Sequence, residues 1–349
     1  MQKILQIVSK MMKLSDKIAV IGAGSWGTAL ALVLAQKVDS VVLWGHRKRH
    51  IQDLISTGYN SKYLPGIPLS EKIIPTNNLE YSVREAAVVC MVVPSYSMRD
   101  VFKALFPYLH PGVIIVSAIK GIENSSLKTM TQVMEEIIQS SGVKQDVKVA
   151  VLSGPSFAKE VALGIPTAVT IGCKQIDCVK KLQKLFGTDK FRVYASTDVI
   201  GLEISAALKN IVALAAGICD GLGYGLNTRA ALITRGLAEI TRLGVFLGAE
   251  PGTFSGLSGL GDLVLTCTGD LSRNRTVGLQ LGKGKKLDNI LEEMHTVAEG
   301  IRTTKSVYDL TRPLNIEMPI LEQVYKILYE NKDCSKAVAD LLTRESKVE

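Results

Sequence analysis

The stretch 17-KIAVIGAGSWGTALALVLAQ-36 decides the fold of this 349-residue chain. Residues 18–22 are apolar and rich in β-branched side chains, as in a buried strand, and helix-forming residues follow "GAGSWG". Gly22, Gly24 and Gly27 have the G-x-G-x-x-G spacing, which allows a tight turn, close approach of a pyrophosphate and close helix–strand packing. We therefore predict a strand, a dinucleotide-binding turn and a helix whose N-terminus holds the phosphates. A purely structural glycine turn is the alternative.

The absence of charge from residues 18–36 raises a second possibility, because the segment is long enough to cross a bilayer. The glycines interrupt it, and β-branched residues come before them while helix formers come after. This pattern favours a buried strand, turn and helix over a membrane helix. A secretory signal is a further alternative, although cleavage after Ala35 would remove the glycine motif.

Strand-like and helical patterns alternate through the first half of the chain. The strand-like runs after the first lie at 40–45, 86–94, 112–118, 147–154, 167–172 and 191–196, and helical patterns such as 97–109 and 127–140 separate them. After about residue 198 only helical patterns remain, at 199–218, 227–248, 302–312, 319–330 and 335–345. We predict an α/β fold with a Rossmann-type, doubly wound parallel sheet, followed by an all-α C-terminal domain. The expected divisions are an N-terminal extension (1–16), a dinucleotide-binding domain (17–197) and a helical substrate-binding and catalytic domain (198–349).

The composition is that of a globular protein, with 47% hydrophobic residues and a net charge of +8. Positive charge suits nucleic acids, membranes or anionic small molecules, but the basic residues are dispersed apart from the run 46–50. Aromatic residues make up 5%, too few for a broad nucleic-acid surface. The six cysteines form no CxxC pair, which argues against zinc and for reduced thiols in a cytosolic protein.

The second predicted strand runs into Gly45, His46 and Arg47, and no acidic residue follows before Asp53. A carboxylate at this point would bind the ribose 2′-hydroxyl of NAD, whereas a cation suits the 2′-phosphate of NADP. We therefore expect NADP to be favoured, although an arginine also stacks on adenine and tolerates both cofactors. A solvated loop and a nucleic-acid contact are the alternatives for the run 46–50.

Polar residues that suit a phosphorylated substrate follow two strands and a glycine-rich stretch. Lys120 and Gly154-Pro155-Ser156 come after predicted strands, where ligands bind in open α/β sheets. Farther on, glycines at 256, 259 and 261 precede Asp262 and the run Ser272-Arg273-Asn274-Arg275, which we interpret as a phosphate-binding loop. The alternatives are a solvated lysine, a helix entry with Ser153 or Ser156 near the N-cap, and an ordinary interhelical loop.

Lys209 lies in the apolar helical segment "SAALKNIVALAAG" (205–217). Its neighbours at i±3 and i±4 are Ser205, Ala206, Val212 and Ala213. A buried lone charge is costly unless it is paired, neutralised or used. From the helix alone, a lysine that extends past small residues to water is the main alternative to a functional lysine.

Seven segments together resemble the bacterial NAD(P)-dependent glycerol-3-phosphate dehydrogenases. They are "GAGSWGTALA", "LWGHR", "KGIE", "GPSFAKEV", "AALKNIVALAAG", "GLSGLGDLVLTCTG" and "SRNRTVG", in order between about residues 17 and 315. The first residues precede the family's usual start, so Met11 or Met12 is an alternative initiator to Met1. The resemblance implies reversible hydride transfer between NADPH or NADH and dihydroxyacetone phosphate, giving sn-glycerol 3-phosphate for phospholipid synthesis in the cytoplasm.

The resemblance also implies roles for individual residues. Positions that match cofactor-binding residues of the family are Gly22, Gly24, Ser25, Trp26, Gly27, His46, Arg47, Lys120, Ala158, Arg273, Val297 and Glu299. Positions that match substrate-binding residues are Lys120, Gly154, Ser156, Lys209, Asp262, Ser272, Arg273 and Asn274. Lys209 falls on the family's proton acceptor, so an ammonium there would stabilise and protonate the C2 alkoxide. Burial and Lys120 would lower its pKa, and Asp262, if close, would oppose them.

Several alternatives stay open at this point. The chain is compatible with an NADP-dependent dehydrogenase of another phosphorylated hydroxy compound, with a non-catalytic NADP-sensing module, and with an RNA-binding protein. We expect no metal, no nucleic-acid partner and no integral membrane segment. A homodimer is expected from the apolar helices of the second domain and from the resemblance.

Overall fold

A computed structural model describes residues 17–142, 146–294 and 298–345, so the expected extension lies outside the described residues. Its first part is built on one eight-stranded sheet in the order β3-β2-β1-β4-β5-β6-β7-β8. The strands are β1 (Lys17–Ile21), β2 (Ser40–Trp44), β3 (Ile73–Thr76), β4 (Val88–Met91), β5 (Ile114–Ser117), β6 (Lys148–Ser153), β7 (Thr167–Cys173) and β8 (Phe191–Ser196). Rossmann-type architecture is therefore confirmed. The order reverses between β1 and β4, and open α/β sheets bind ligands beyond the strand ends at such a reversal.

Two details of the sheet differ from the sequence-based expectation. β7 pairs antiparallel with β6, so the sheet is only mostly parallel. The connection between these strands holds a helix of five residues, about 7.5 Å long, which is too short to carry the chain back along the sheet. The edge strand β3 was not expected, because it is short and contains Pro75, which is tolerated at a sheet edge.

Helices cover both faces of the sheet. They are α1 (Ser25–Leu34), α2 (Lys48–Thr57), α3 (Leu79–Val83), α4 (Ser95–Leu105), α5 (Met130–Ser140), α6 (Ala158–Ala162) and α7 (Ile176–Phe186). One apolar cluster packs α1 and α7 against one face of the strands, and another packs α4 and α5 against the other. The strand residues are buried on both sides, as in other sheets of this class. We call residues 17–196 the sheet half.

The helical half, residues 199–345, surrounds one long helix. This helix is α8 (Val199–Gly221), and those after it are α9 (Leu226–Phe246), α10 (Pro251–Phe254), α11 (Asp262–Thr268), α12 (Arg273–Gly282), α13 (Leu287–Glu293), α14 (Glu299–Thr311), α15 (Pro319–Tyr329) and α16 (Cys334–Leu342). α8 is apolar and long enough to cross a membrane, but 94% of its apolar window is buried in the protein. It is the core of this half. Residues 18–36, the other candidate span, form β1, the glycine turn and α1.

Buried hydrogen bonds join the two halves along α8 and α14. The carboxylate of Glu203, on α8, accepts hydrogen bonds from the backbone N–H of Thr131 at 2.9 Å and from its hydroxyl, at the start of α5. Burial raises the pKa of this carboxyl group. The hydroxyl of Ser306, on α14, donates to the carbonyl oxygen of Ile122 at 3.3 Å. These contacts hold the segment between β5 and α5 and the start of α5 against the helical half.

Candidate active site

The glycine-rich turn leaves an open cradle at its centre. Gly22 has a φ of +131°, and a Cβ there would lie 2.5 Å from the carbonyl oxygen of Val92. A Cβ on Gly27 would lie 1.8 Å from the carbonyl oxygen of Gly22, because strand and helix touch here. A Cβ on Gly24, by contrast, would meet no atom of the described residues within 4 Å. The cradle therefore fits a pyrophosphate that approaches the backbone at Gly24.

The first turn of α1 faces this cradle. Ser25 and Trp26 are its first two residues, and Gly24 before them offers no side chain to cap their amide groups. Free N–H groups at a helix N-terminus attract anions. Trp26 packs against the same apolar cluster as Ala158, the first residue of α6. The turn, α1 and α6 thus meet on one side of the sheet.

The end of β2 presents positive charge to solvent. His46 and Arg47 follow the strand, both are exposed, and Arg47 directly precedes α2. Burial lowers the pKa of His46, and the charges of Arg47 and His50 lower it further. These effects favour the neutral form of His46, and the guanidinium of Arg47 supplies charge that suits a 2′-phosphate.

A chain of two lysines and one aspartate occupies the junction of the two halves. The ammonium of Lys209 donates to Asp262 Oδ1 at 2.6 Å, and that of Lys120 donates to Asp262 Oδ2 at 2.9 Å. Lys209 is 5% and Asp262 1% exposed. Lys209 comes from α8, Asp262 begins α11, and Lys120 follows β5. The alternative of a lysine that extends to water is wrong, because Lys209 ends inside the protein on a carboxylate.

The surroundings of Lys209 tune its acidity. Burial lowers its pKa to about 8, the charge of Asp262 opposes that shift, and the charge of Lys120 reinforces it. The ammonium also donates to the hydroxyl of Thr266 at 2.6 Å, and that hydroxyl donates to the backbone carbonyl of Asp262 at 2.6 Å. A lysine with this pKa exists in both protonation states near neutral pH, which suits general acid–base chemistry.

The end of β6 contributes backbone to the same junction. Gly154 has a φ of +130°, and its carbonyl oxygen accepts hydrogen bonds from Lys120 at 3.3 Å and from the Ser156 hydroxyl at 3.0 Å. Phe157 is the N-cap residue of α6 and Ser156 directly precedes it, so Ser156 does lie near the N-cap, but its hydroxyl bonds Gly154 and no side chain caps the helix. The Lys120 ammonium thus joins the ends of β5 and β6 to Asp262.

The residues interpreted as a phosphate-binding loop form the start of a helix instead. Ser272 is the N-cap residue of α12, and its hydroxyl oxygen accepts the backbone N–H of Arg275 at 3.3 Å. Arg273 is exposed, yet burial lowers its pKa and the charge of Glu299 opposes that shift. Helix N-terminus and guanidinium together suit a phosphate.

Asn274 connects three helices below Arg273. Its amide nitrogen donates to Asn210 Oδ1 at 2.9 Å, and its oxygen accepts the backbone N–H of Gly300 at 2.9 Å. These bonds leave one amide N–H of Asn274 for a ligand. Because Asn210 follows Lys209 and Gly300 follows Glu299, the bonds fix Arg273 relative to both.

Glu299 closes the site from the other side. Its carboxylate accepts the backbone N–H of Ser95 at 3.1 Å and the Ser95 hydroxyl, at the start of α4. A Cβ on Gly121, next to Lys120, would lie 2.8 Å from the Cβ of Ser95. The N-termini of α14 and α4 therefore meet beside the lysine–aspartate chain.

The predicted residues fall into two groups. Direct contacts or shared neighbours bring together Lys120, Gly154, Ser156, Lys209, Asp262, Arg273, Asn274 and Glu299. The glycine turn, His46 and Arg47 follow β1 and β2, farther along the same edge, as the length of a dinucleotide requires. Val297 lies outside the described residues. Among all residues that the structure describes, no cluster of three metal-ligating side chains occurs.

Sequence patterns missed Thr266, Asn210 and Ser95. Thr266 lies four residues after Asp262, so helical spacing would have placed it on the same face had α11 been predicted. Asn210 and Ser95 have partners 64 and 204 residues away, and no local pattern indicates such pairs.

Comparison with known proteins gives a consistent result across the chain. Residues 17–179 match the family described as the N-terminus of NAD-dependent glycerol-3-phosphate dehydrogenase, and residues 198–339 match its C-terminus. The glycerol-3-phosphate dehydrogenase [NAD(P)+] of Desulfotalea psychrophila is 60% identical over 339 residues, covering 97% of this chain and all of the relative. That of Citrifermentans bemidjiense is 52% identical over 336 residues, covering 96% and 99%.

Solved structures agree with these relatives. The crystal structure of glycerol-3-phosphate dehydrogenase from Coxiella burnetii has a TM-score of 0.89 and 41% identity, covering 94% of this chain and 99% of that one. The glycerol-3-phosphate dehydrogenase of yeast has a TM-score of 0.79 and 28% identity, covering 94% and 99%. The mostly parallel sheet followed by helices is therefore shared with solved dehydrogenases.

Proposed function

The chain belongs to the NAD-dependent glycerol-3-phosphate dehydrogenase family, and we propose that Lys209 exchanges a proton with the C2 oxygen of its substrate. The observation that carries this proposal is the ion pair between the buried side chains of Lys209 and Asp262, with Lys120 on the other oxygen of the same carboxylate. The protein is an NAD(P)-dependent oxidoreductase that interconverts the CH–OH group of glycerol 3-phosphate and the ketone of dihydroxyacetone phosphate. Glycerol 3-phosphate, the product of ketone reduction, is consistent with a role of the enzyme in phospholipid metabolism. The relatives do not favour the sensor, the RNA-binding protein or a dehydrogenase with another substrate.

Lys209 completes the reduction that the nicotinamide begins. NAD(P)H, when bound, supplies the hydride that reaches C2. Negative charge then develops on the C2 oxygen, where the Lys209 ammonium stabilises it and donates its proton. In the oxidation direction the neutral amine removes the hydroxyl proton. The ketone, one hydride and one proton together give the secondary alcohol.

Asp262 and Lys120 keep Lys209 ready for this exchange. Asp262 holds the Lys209 nitrogen in place and offsets part of its desolvation cost. Lys120 shares the same carboxylate, so the group of three carries a net charge of +1 that attracts an anionic substrate. We assign Lys120 to both substrate and nicotinamide.

The pH dependence of turnover tests Lys209 directly. Because its pKa is lowered to about 8, the proton is lost as the pH rises through 8. We expect kcat/KM for ketone reduction to fall above about pH 8, and kcat/KM for glycerol 3-phosphate oxidation to rise with pH and level off there. Steady-state rates in both directions from pH 6 to 10 measure this. With Lys209→Arg, which stays protonated, the fall in the reduction direction should be absent. Profiles of the same shape in both directions would contradict the assignment.

We assign the phosphate of the substrate to the start of α12. Ser272, Arg273 and Asn274 lie there, and Gly154 and Ser156 approach Lys120 from the end of β6. We assign the cofactor to the glycine turn, Ser25, Trp26, His46, Arg47, Ala158 and Glu299. Arg273 is assigned to both the cofactor and the substrate. On this division, residues 17–197 are the cofactor domain and residues 198–349 the substrate and catalytic domain.

Arg47 favours NADPH over NADH in this proposal. We expect Arg47→Ala to raise the KM for NADPH roughly 10- to 100-fold, because a charge-assisted hydrogen bond contributes about 1.5–3 kcal/mol. The KM for NADH should change less than about twofold. Loss of nicotinamide absorbance with dihydroxyacetone phosphate measures both. Arg49→Ala, on an exposed residue of the same helix, is the matched control. Equal weakening of both cofactors would instead assign Arg47 to adenine stacking.

We propose that two copies associate through α9. A stripe of small residues repeats at three- and four-residue spacing on its surface: Ala231, Thr234, Ala238, Thr241 and Val245. Small side chains let two helices approach closely. We expect Ala238→Arg to halve the molar mass in light scattering, while Leu342→Arg, on a residue 80% exposed, leaves it unchanged. A wild-type protein of 37.7 kDa would overturn the proposal.

A cytoplasmic location is proposed on the state of the cysteines. All six are free thiols, and five are buried. Free buried thiols are usual in reducing compartments.

A further inference from the structure

Asn60 is a buried amide that lies beneath the glycine turn. Its side chain is 0% exposed, and it comes from the loop after α2. The amide nitrogen donates one hydrogen bond to the carbonyl oxygen of Ala23 at 3.1 Å and one to the hydroxyl oxygen of Thr28 at 2.7 Å. Its oxygen accepts the backbone N–H of Tyr63 at 3.3 Å. Both donors of the amide are thus committed to the turn and to α1.

The hydroxyl of Thr28 passes this contact on to Gly24. Thr28 is 0% exposed, and its hydroxyl donates to the carbonyl oxygen of Gly24 at 2.9 Å. A hydroxyl has one proton, so the Thr28 oxygen must accept from Asn60. The donor and the acceptor are therefore fixed in both hydrogen bonds, from Asn60 to Thr28 and from Thr28 to Gly24.

We propose that Asn60 is a positioning residue for the dinucleotide, acting through Ala23 and Thr28 on the amide groups of Gly24 and Ser25. In a planar trans peptide unit the C=O and N–H point in opposite directions. Holding the Ala23 carbonyl inward points the Gly24 N–H outward, and holding the Gly24 carbonyl does the same for Ser25. The Cβ position of Gly24, whose Cα lies between these two amide groups, opens on the cradle. The inference rests on the proposed cofactor site.

A second donor on the same carbonyl supports this role. His50 Nε2 lies 3.2 Å from the carbonyl oxygen of Ala23, and because a carbonyl only accepts, Nε2 carries the proton. The ring of His50 meets the ring of Tyr63 edge-on, with centroids 5.1 Å apart. One backbone oxygen thus receives two side-chain donors from the segment 48–63.

The test compares substitutions that keep shape and change hydrogen bonding. Thr28→Val removes the hydroxyl, whereas Thr28→Ser keeps it. Thr311→Val is the matched control, because the buried Thr311 hydroxyl makes the same bond to the carbonyl four residues earlier, Val307, at 2.8 Å. Asn60→Asp keeps the size but puts an acceptor opposite Ala23. Quenching of intrinsic fluorescence by NADPH gives the Kd, and steady-state rates give KM and kcat.

We expect Thr28→Val and Asn60→Asp to raise the Kd and KM for NADPH about tenfold, which corresponds to about 1.4 kcal/mol. Values of kcat and of the KM for dihydroxyacetone phosphate should stay within about twofold. Thr28→Ser should restore the wild-type Kd, and Thr311→Val should lower the melting temperature alone. If Asn60→Asp does not fold, Thr28→Val decides.

Two results would overturn the inference. One is a Kd for NADPH in Thr28→Val that equals that of Thr311→Val, and the other is a loss confined to kcat. Failure of the proposed cofactor site is distinguishable, because Gly24→Val, which places a side chain in the open cradle, would then bind NADPH as well as the wild type does.

Discussion

Lys209→Met is expected to lower kcat in both directions by roughly 10²–10⁴-fold, the usual contribution of a positioned general acid or base. Methionine keeps the length and the apolar packing of the side chain among its small neighbours on α8. It removes the nitrogen that holds Asp262 at 2.6 Å, so on the proposed role of Lys209 the C2 oxygen loses its proton donor. Asp262 keeps Lys120 as a partner at 2.9 Å, which limits the loss of stability. The Kd for NADPH should change less than about threefold, since the glycine turn is not touched.

Rates of nicotinamide oxidation and a fluorescence titration with NADPH measure the two quantities separately. Lys332→Met is the matched control, because Lys332 is also an ion-paired lysine of the helical half and its side chain is 20% exposed. It should lose stability and keep turnover. A folded Lys209→Met protein with turnover within tenfold of the wild type would show that Lys209 has a purely structural role.

The second large effect is expected from Arg273→Ala, which should raise the KM for dihydroxyacetone phosphate about 100-fold. A charge-assisted bidentate contact to a phosphate contributes about 1.5–3 kcal/mol, and the variant loses it entirely. The effect should disappear with dihydroxyacetone, which has no phosphate. This comparison separates phosphate binding from general damage to the site. The same steady-state assay with both ketones measures it.

Arg275→Ala is the control that the chain itself offers. It lies two residues away on α12, but its guanidinium pairs with Asp220 at 2.8 Å and with Asp270 at 2.9 Å. Its loss should lower the melting temperature and leave the KM for the ketone unchanged. An equal rise in KM in both variants would assign the effect to the helix rather than to the Arg273 contact.

Local patterns predicted the parts of the molecule that depend on near neighbours. The strand, turn and helix at 17–34 are specified within twenty residues, because the glycines meet the steric requirements of the turn itself. The strand pattern likewise predicted a doubly wound sheet. It did not predict the direction of β7, because direction depends on the length of the helix before it rather than on apolar residues.

Contacts between distant residues were beyond such patterns. Asp262 lies 53 residues after Lys209 and 142 after Lys120, and only the folded chain decides that one carboxylate serves both. The glycine-rich composition of 256–284 suggested loops, whereas short helices form there because their buried faces pack on α8. Asn60 shows the same limit, since a single asparagine in a loop carries no sign that its partners lie 37 and 32 residues earlier.

The pairing of Lys120 with Asp262 has a consequence for how this enzyme evolves. Lys120 belongs to the sheet half and Asp262 to the helical half. Their ion pair, which helps to set the pKa of Lys209, therefore also links the two halves. A substitution at Asp262 therefore alters the pKa of Lys209 and the contact between the two halves at the same time. Selection for a different reaction cannot loosen one without loosening the other.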